Sequence, residues 1–320
     1  MKMWPIWKNS TNRWKICCPL APARDRLIKD GGVQMRIEPI QKTATTVFGA
    51  IVTGVDLNHL SDEEWEVIEA AWYEHAVLVF TGQHIEEAAH VALGERIGEL
   101  EQLVADRKSV PISNRKVDGS AVDAESDHFK ILKGNEGWHT DSTYMPLSAR
   151  ASILAAQVVP EEGGQTEWAD MRAAYDALDN PTREQIAELA AYHSLFYSQS
   201  KVGHNPAKGA SYGLNDQDVP LRPLVKLHPV TQRPALFIGR HAYGIPGLSE
   251  SESEALLERL MVFACQPPRV FGHTWTPGDV VMWDNRCVLH RARPYNYDKP
   301  RIMRHVRVAG DPRTEAGIRV

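Results

Sequence analysis

The chain has 320 residues with 41 acidic against 36 Lys and Arg side chains, a formal charge of −5. That length can bury a sizeable core in one or two domains, and the mildly negative balance supplies no global field to attract nucleic acid or an anionic membrane, so small molecules are the expected partners. Four cysteines, Cys17, Cys18, Cys265 and Cys287, are too few and too irregularly spaced for a disulfide framework or a CxxC zinc site, and no apolar run approaches the roughly 20 residues that span a bilayer. Free thiols in a cytoplasmic, non-membrane protein are the expectation.

Residues 1–34 are rich in Lys, Arg and Trp, carry Pro5, Pro19 and Pro22, and show no apolar period. They read as a disordered leader. Lys8, Arg13 and Lys15 break every stretch that would serve as a secretory apolar segment. A transit peptide and a start site placed upstream of Met35 both remain open as accounts.

From Met35 the pattern becomes regular, and 35–320 reads as one domain. Stretches 36–40 and 49–55 predict short strands punctuated by glycine. Ser61-Asp62-Glu63-Glu64 is a capping box ahead of Trp65, Ile68, Ala71 and Trp72 at helical spacing, which predicts a helix ending near His75. Ala76–Phe80 predicts a strand and Glu86–Ile97 a second helix. Between Gly98 and Gly137 the sequence is polar, and a long binding loop or lid is expected there, with His128 a solvated loop histidine.

Trp138-His139-Thr140-Asp141 follows directly. In an extended strand residues two apart share a face, so His139 and Asp141 would project together. Alone the pattern carries little information. A third ligand far down the chain, His290, would complete a two-histidine, one-carboxylate face, the donor set suited to ferrous iron with open positions opposite.

After the apolar run Ala151–Val159, Gly163-Gly164-Gln165-Thr166 reads as a hairpin turn on its glycines alone. Ser249–Glu252 starts a further helix through Leu256, Leu257, Leu260 and Phe263. Pro277-Gly278-Asp279 turns into the apolar strand Val280–Trp283, and 300–308 predicts a strand with Arg301, Met303, His305 and Arg307 on one face. An arginine facing a core requires an anion.

With these stretches in hand the chain from about Met35 to Gly310 resembles the taurine dioxygenase and 2,4-dichlorophenoxyacetate dioxygenase family of iron(II)/2-oxoglutarate-dependent oxygenases. Within it, the chain is most similar to the aryloxyalkanoate enzymes acting on phenoxypropionates. The matching motifs are Trp138–Tyr144, Gly163–Thr166 with Ala169–Tyr175, Trp283–Arg286 with His290, and Arg301-Ile302-Met303. The resemblance implies an α+β fold with a double-stranded β-helix (jelly-roll) core, flanking helices and an insertion around 172–220. It implies His139, Asp141 and His290 as Fe(II) ligands, Thr166 and Arg301 as 2-oxoglutarate contacts, and O2 as the oxidant. Trp283 sits beside that pocket or is a core tryptophan. The acidic ligand Asp141 argues for oxygen insertion, because halogenating relatives carry a small residue there.

On the substrate side, Asn135 matches a substrate-contacting position of taurine dioxygenase and equally suits a turn. His305 stands where that enzyme has a sulfonate-binding arginine, with Arg304 just before it, so all three are substrate candidates. Aromatics in 192–201 either line a ring pocket or belong to the core, and the roles of Lys201, Arg240 and His241 stay open. The expected activity is hydroxylation of a small anionic substrate, an aryloxyalkanoate, whose ether collapses to a phenol and a 2-oxo acid while 2-oxoglutarate yields succinate and CO2. The alternatives are the same chemistry on a sulfonate, alkylsulfate or other carboxylate, and a catalytically silent metal- or ligand-binding protein. A homo-oligomer is compatible with the sequence.

Overall fold

The computed structural model describes residues 35–42, 47–209, 212–214 and 218–318; the leader 1–34 lies outside the described residues. β1 (Arg36–Lys42) and β2 (Val47–Thr53) pair antiparallel, and α1 (Asp62–His75) carries the chain over to β3 (Val77–Phe80), parallel to β2. The capping box forms as read: Glu64 N donates to Ser61 Oγ at 3.2 Å and Ser61 N to Glu64 Oε2 at 2.9 Å. Ala76 ends α1 in the left-handed region, φ 63°, so the strand begins one residue later than the apolar run.

α2 (Glu87–Ile97), β4 (Val110–Ser113) and α3 (Asp127–Gly134) come next. The segment expected to be one long loop therefore holds a strand and a helix. β4 escapes a pattern reading because Pro111 interrupts it; it lies at the edge of its sheet, where a missing N–H costs no ladder bond. His128 falls in α3 and meets the Ser113 carbonyl at 2.9 Å.

β5 (Ala151–Val158), β6 (Thr166–Asp170), α4 (Met171–Asp176), α5 (Asn180–Ile186), β7 (Ala190–His193) and α6 (Leu195–Ser200) lead to the short strands β8 (Leu221–Pro223), β9 (Val225–Leu227), β10 (Pro234–Leu236) and β11 (Ala242–Tyr243). α7 (Glu250–Ala264), β12 (Val270–His273), β13 (Val280–Asp284), β14 (Val288–Ala292) and β15 (Ile302–Val308) complete the chain. The major sheet has the order β1-β2-β3-β13-β5-β15-β4, and a three-stranded sheet has the order β12-β6-β14.

Alternation along the central strands places the core on both faces of the major sheet. Leu78, Phe80, Ile153, Ala155, Val280 and Met282 pack with Trp65, Ile68, Trp72, Leu93 and Ile97 of α1 and α2. Their neighbours Val77, Val79, Leu154, Ala156, Val281 and Trp283 pack instead with Trp168, Phe271, Val288 and Leu289 of the smaller sheet. Burial on both faces is why these strands read as unbroken apolar runs. The result is a mixed helix and sheet architecture, two facing sheets with α1 and α2 on the outer face of the major one and α4, α5 and α7 packed into the cluster of the smaller one. Among the described residues no helix is long and apolar enough to cross a membrane.

Gly163-Gly164 is not a hairpin turn. β5 pairs with β13 and β15, whereas β6 pairs with β12 and β14, so the two glycines lie where the chain crosses from one sheet to the other. Both have positive φ, 77° and 68°, and a Cβ on Gly163 would lie 2.5 Å from the Pro294 carbonyl oxygen.

Candidate metal and cosubstrate site

His139 and His290 meet through their backbones: His139 N donates to His290 O at 3.0 Å and His290 N to His139 O at 2.8 Å. This single antiparallel bridge replaces the strand expected at 138–141, for His139 is extended only at that bridge and Asp141 already opens a turn. Directly paired residues of an antiparallel bridge project to the same face. The two imidazoles accordingly lie 4.2 Å apart between centroids. Asp141 joins them, with Oδ2 3.7 Å from His290 Nε2, and one ligand atom from each of the three side chains lies within 4.8 Å of the others.

All three are buried. His139 Nδ1 lies 2.8 Å from the Gly137 carbonyl, an oxygen that only accepts, so this nitrogen carries the proton and Nε2 keeps its lone pair. Burial, then the neighbouring His290, pushes His139 down to about 3, and burial pushes His290 down to about 4. Both rings are thus neutral donors. Burial by itself would raise the Asp141 pKa, but the Arg307 guanidinium, aided by the surrounding imidazoles, holds it well below the usual carboxylate range. Two neutral imidazoles and an ionised carboxylate, with no thiolate in the group, fit a divalent iron better than structural zinc.

Arg301 is buried, and Nε donates to Gly164 O at 3.3 Å. Among the described residues no carboxylate lies within ion-pair distance of it; burial lowers its pKa, and only the rings of Tyr295 and Tyr297 offset that. A Cβ on Gly164 would stand 3.3 Å from Arg301 Cδ and Nε, so the second glycine admits this approach as well as the positive φ. Two residues on, Thr166 is buried and its Oγ1 accepts from Trp275 Nε1 at 2.9 Å. β6 carries Thr166 beside the metal group because Trp168 pairs with His290 and Thr166 with Ala292.

Trp283 is a core tryptophan that also borders the metal group. It is buried in the core, 4.7 Å centroid to centroid from His290 and stacked at 6.1 Å on His305, and Nε1 donates to Asn285 Oδ1 at 3.0 Å. The substrate candidates separate. His305 is buried with Nε2 3.9 Å from Asp141 Oδ2, and that nitrogen has no hydrogen-bond partner among the described residues. Arg304 does not join the site: β15 alternation turns it to the other face of the sheet, where it pairs with Glu87 at 3.5 Å. Asn135 caps α3 through its main chain, its N donating to Leu132 O and its O accepting from Ala292 N.

Of the open residues, Lys201 pairs with Glu254 at the surface. Arg240 and His241 come to the metal group instead. Arg240 N donates to Trp138 O at 2.8 Å and Nη2 to Ser198 O at 2.8 Å. His241 is buried with Nδ1 2.7 Å from Ser198 Oγ and its ring edge-on to His139 and Tyr144. Tyr197 stacks on Tyr243, and Tyr192 meets the same ring at a tilt. Sequence reasoning missed Ser152, Glu101 and Trp275. Of these Ser152 alone left a trace, as a hydroxyl inside the apolar run of β5.

A second group, His228, Asp284 and Cys287, has similar spacing. Its donors are already used. His228 Nε2 meets Asp284 Oδ2 at 2.9 Å and Nδ1 accepts from Val230 N and Thr231 N, while Arg286 Nε and Nη2 bind both oxygens of Asp284. Burial pushes the Cys287 thiol far up, so it stays protonated. This is a buried polar pin, not a metal centre.

Residues 36–308 match the family described as taurine catabolism dioxygenase TauD, TfdA family. The chain is 52% identical over 288 residues to an (S)-phenoxypropionate/alpha-ketoglutarate-dioxygenase of Sphingobium herbicidovorans, covering 88% of this chain and 97% of the relative. It is 32% identical over 270 residues to an alpha-ketoglutarate-dependent sulfate ester dioxygenase of Pseudomonas putida, covering 82% and 87%. Among solved structures it is similar to AAD-2 in complex with Mn(II) and N-oxalylglycine, with a TM-score of 0.81 and 36% identity over 89% of this chain and 99% of that one.

Proposed function

The chain belongs to the taurine catabolism dioxygenase TauD/TfdA family, and from that membership we propose that it is an iron(II)- and 2-oxoglutarate-dependent dioxygenase that hydroxylates aryloxyalkanoates. His139, Asp141 and His290 hold the metal, Arg301 pairs with the distal carboxylate of 2-oxoglutarate, and Thr166 contributes a hydroxyl beside it. The observation that carries this reading is Arg301, a buried guanidinium with no counter-ion in the described chain. A dianionic cosubstrate supplies that counter-ion, and the planar fork offers it two parallel charge-assisted hydrogen bonds. The reading includes a double-stranded β-helix core within a single domain from residue 35 onward, with 172–220 as an insertion.

Iron, when bound, supplies the reduction of O2 coupled to decarboxylation of 2-oxoglutarate to succinate and CO2. The protein's own part is placement and exclusion. The His139–His290 bridge sets the two imidazoles side by side, burial keeps them neutral donors, and the Trp283 ring covers the His290 side and keeps water away. Hydroxylation of the carbon that bears the aryl ether oxygen gives a hemiacetal or hemiketal, which collapses to a phenol and a 2-oxo acid.

A sulfate ester or sulfonate is the second reading, supported by the Pseudomonas putida relative. Against it, the β15 position of the taurine dioxygenase arginine is His305, and Arg307 nearby is occupied by Asp141. The test is succinate release across phenoxypropionate enantiomers, phenoxyacetates, alkylsulfates and sulfonates. Aryloxyalkanoate-dependent release is expected, and release only with alkylsulfates or sulfonates would overturn the substrate assignment.

A further inference from the structure

Asp141 is held at both carboxylate oxygens. Oδ1 accepts from Arg307 Nη2 at 2.9 Å, and Oδ2 accepts from Ser152 Oγ at 2.6 Å. Oδ2 is also the oxygen nearest His290 Nε2 and His305 Nε2, at 3.7 and 3.9 Å. Each partner is itself anchored. Ser152 Oγ accepts from Asn285 Nδ2 at 2.9 Å, and Asn285 Oδ1 takes the Trp283 indole N–H. Arg307 donates through Nη1 to Ser142 Oγ at 3.0 Å and lies 3.7 Å from Glu101 Oε2, which also accepts from Ser142 Oγ and the Tyr212 hydroxyl. The Glu101 N–H closes the loop by donating to the Arg307 carbonyl at 2.8 Å. Ser142, directly after the ligand, is kept at φ 55°, a costly conformation for a residue with a Cβ, by its bonds to both charged groups.

We propose that Arg307 and Ser152 are positioning residues that restrict Asp141 to one-oxygen coordination, with Arg307 occupying Oδ1 so that Oδ2 alone faces the metal. A carboxylate can bind a divalent ion through one oxygen or both. Two-oxygen binding would take a position that the facial arrangement leaves for cosubstrate and O2. Arg307 thereby protects 2-oxoglutarate binding without touching it. The inference rests on the assignment of His139, Asp141 and His290 as metal ligands.

The test is calorimetric titration of the full chain, first with Mn(II) and then, at saturating Mn(II), with 2-oxoglutarate, without turnover. In Arg307→Met the 2-oxoglutarate affinity is expected to fall by about tenfold or more, the scale on which one occupied position is coupled to another. Mn(II) affinity should hold or tighten, since a positive charge beside a cation site is gone. Arg307→Lys, which keeps a charged donor, should recover part of the loss. Should Arg307→Met leave too many buried negative charges to fold, the double variant Arg307→Met with Glu101→Gln carries the same expectation with one charge fewer. An unchanged 2-oxoglutarate affinity in either variant, or parallel loss of Mn(II) and 2-oxoglutarate affinity together with the apo melting temperature, overturns the proposal. A wild type that binds neither Mn(II) nor 2-oxoglutarate would instead overturn the metal assignment itself.

Discussion

His139 and His290 are hydrogen-bonded to each other twice through their main chains, so the backbone bridge between these distant parts of the chain is also what sets their imidazoles side by side. Replacing either ring with alanine leaves that bridge intact while removing a donor. His139→Ala and His290→Ala are expected to stay folded by circular dichroism. Both should lose the visible charge-transfer band that iron and 2-oxoglutarate give anaerobically, and lose metal affinity by at least the roughly 100-fold at the upper end of what outer partners contribute. A band of wild-type intensity in either variant would refute the ligand assignment.

Arg301 makes a prediction of opposite sign for two states of the protein. Without cosubstrate, a buried unpaired guanidinium is destabilising, so Arg301→Met should raise the melting temperature of the apo chain. The same variant should lose on the order of 2–5 kcal/mol of 2-oxoglutarate affinity and with it the stabilisation that 2-oxoglutarate confers. Thermal melts with and without 2-oxoglutarate read both effects.

Metal stoichiometry separates the two similar clusters. One divalent ion per chain is expected, and His228→Ala or Cys287→Ala should leave that ratio unchanged because their donor atoms are already committed. His228→Ala should cost about 1–3 kcal/mol of stability by leaving Asp284 one partner short. A second bound ion lost in Cys287→Ala would refute this.

Stability should decline in acid through buried neutral histidines. Burial lowers His90 to about 4 and drives His193 well below 6.5. A histidine with a depressed folded pKa contributes nothing against protonation above about 6.5; below that the unfolded chain takes up protons that the folded chain refuses. Stability is therefore lost as pH falls from 6.5 toward 4. His90 alone should account for on the order of 2 kcal/mol between pH 7 and pH 5. Urea unfolding of the metal-free chain at both pH values should show a smaller drop for His90→Gln.

Arg304, adjacent in sequence to the site residues, should behave as a surface residue. Among the described residues its charged partner is Glu87, at 3.5 Å on the outer face of the major sheet. Arg304→Ala should leave the KM for 2-oxoglutarate and for substrate unchanged and stability within about 0.5 kcal/mol.

What the sequence by itself determined are the features written locally. The capping box of α1, the apolar strands β3, β5 and β13, and the candidates His139, Asp141 and His290, which the fold brings together, were readable because each depends on neighbours a few residues away or on a motif that recurs as a unit. Tertiary structure decided the rest. Alternation alone puts Arg304 on the face opposite His305 and Arg307, but which face meets the site is decided only by the register of β15 against β5, and a shift of one residue would exchange them. The Gly163-Gly164 pair reads as a hairpin until the sheets on either side are known to be different ones. The partners that hold Asp141 come from Ser152 on β5 and Arg307 on β15, and Arg307 is in turn held by Glu101, residues without sequence proximity or period in common. A buried carboxylate takes whatever donors the packing delivers to it, and that is a property of distances across the folded chain.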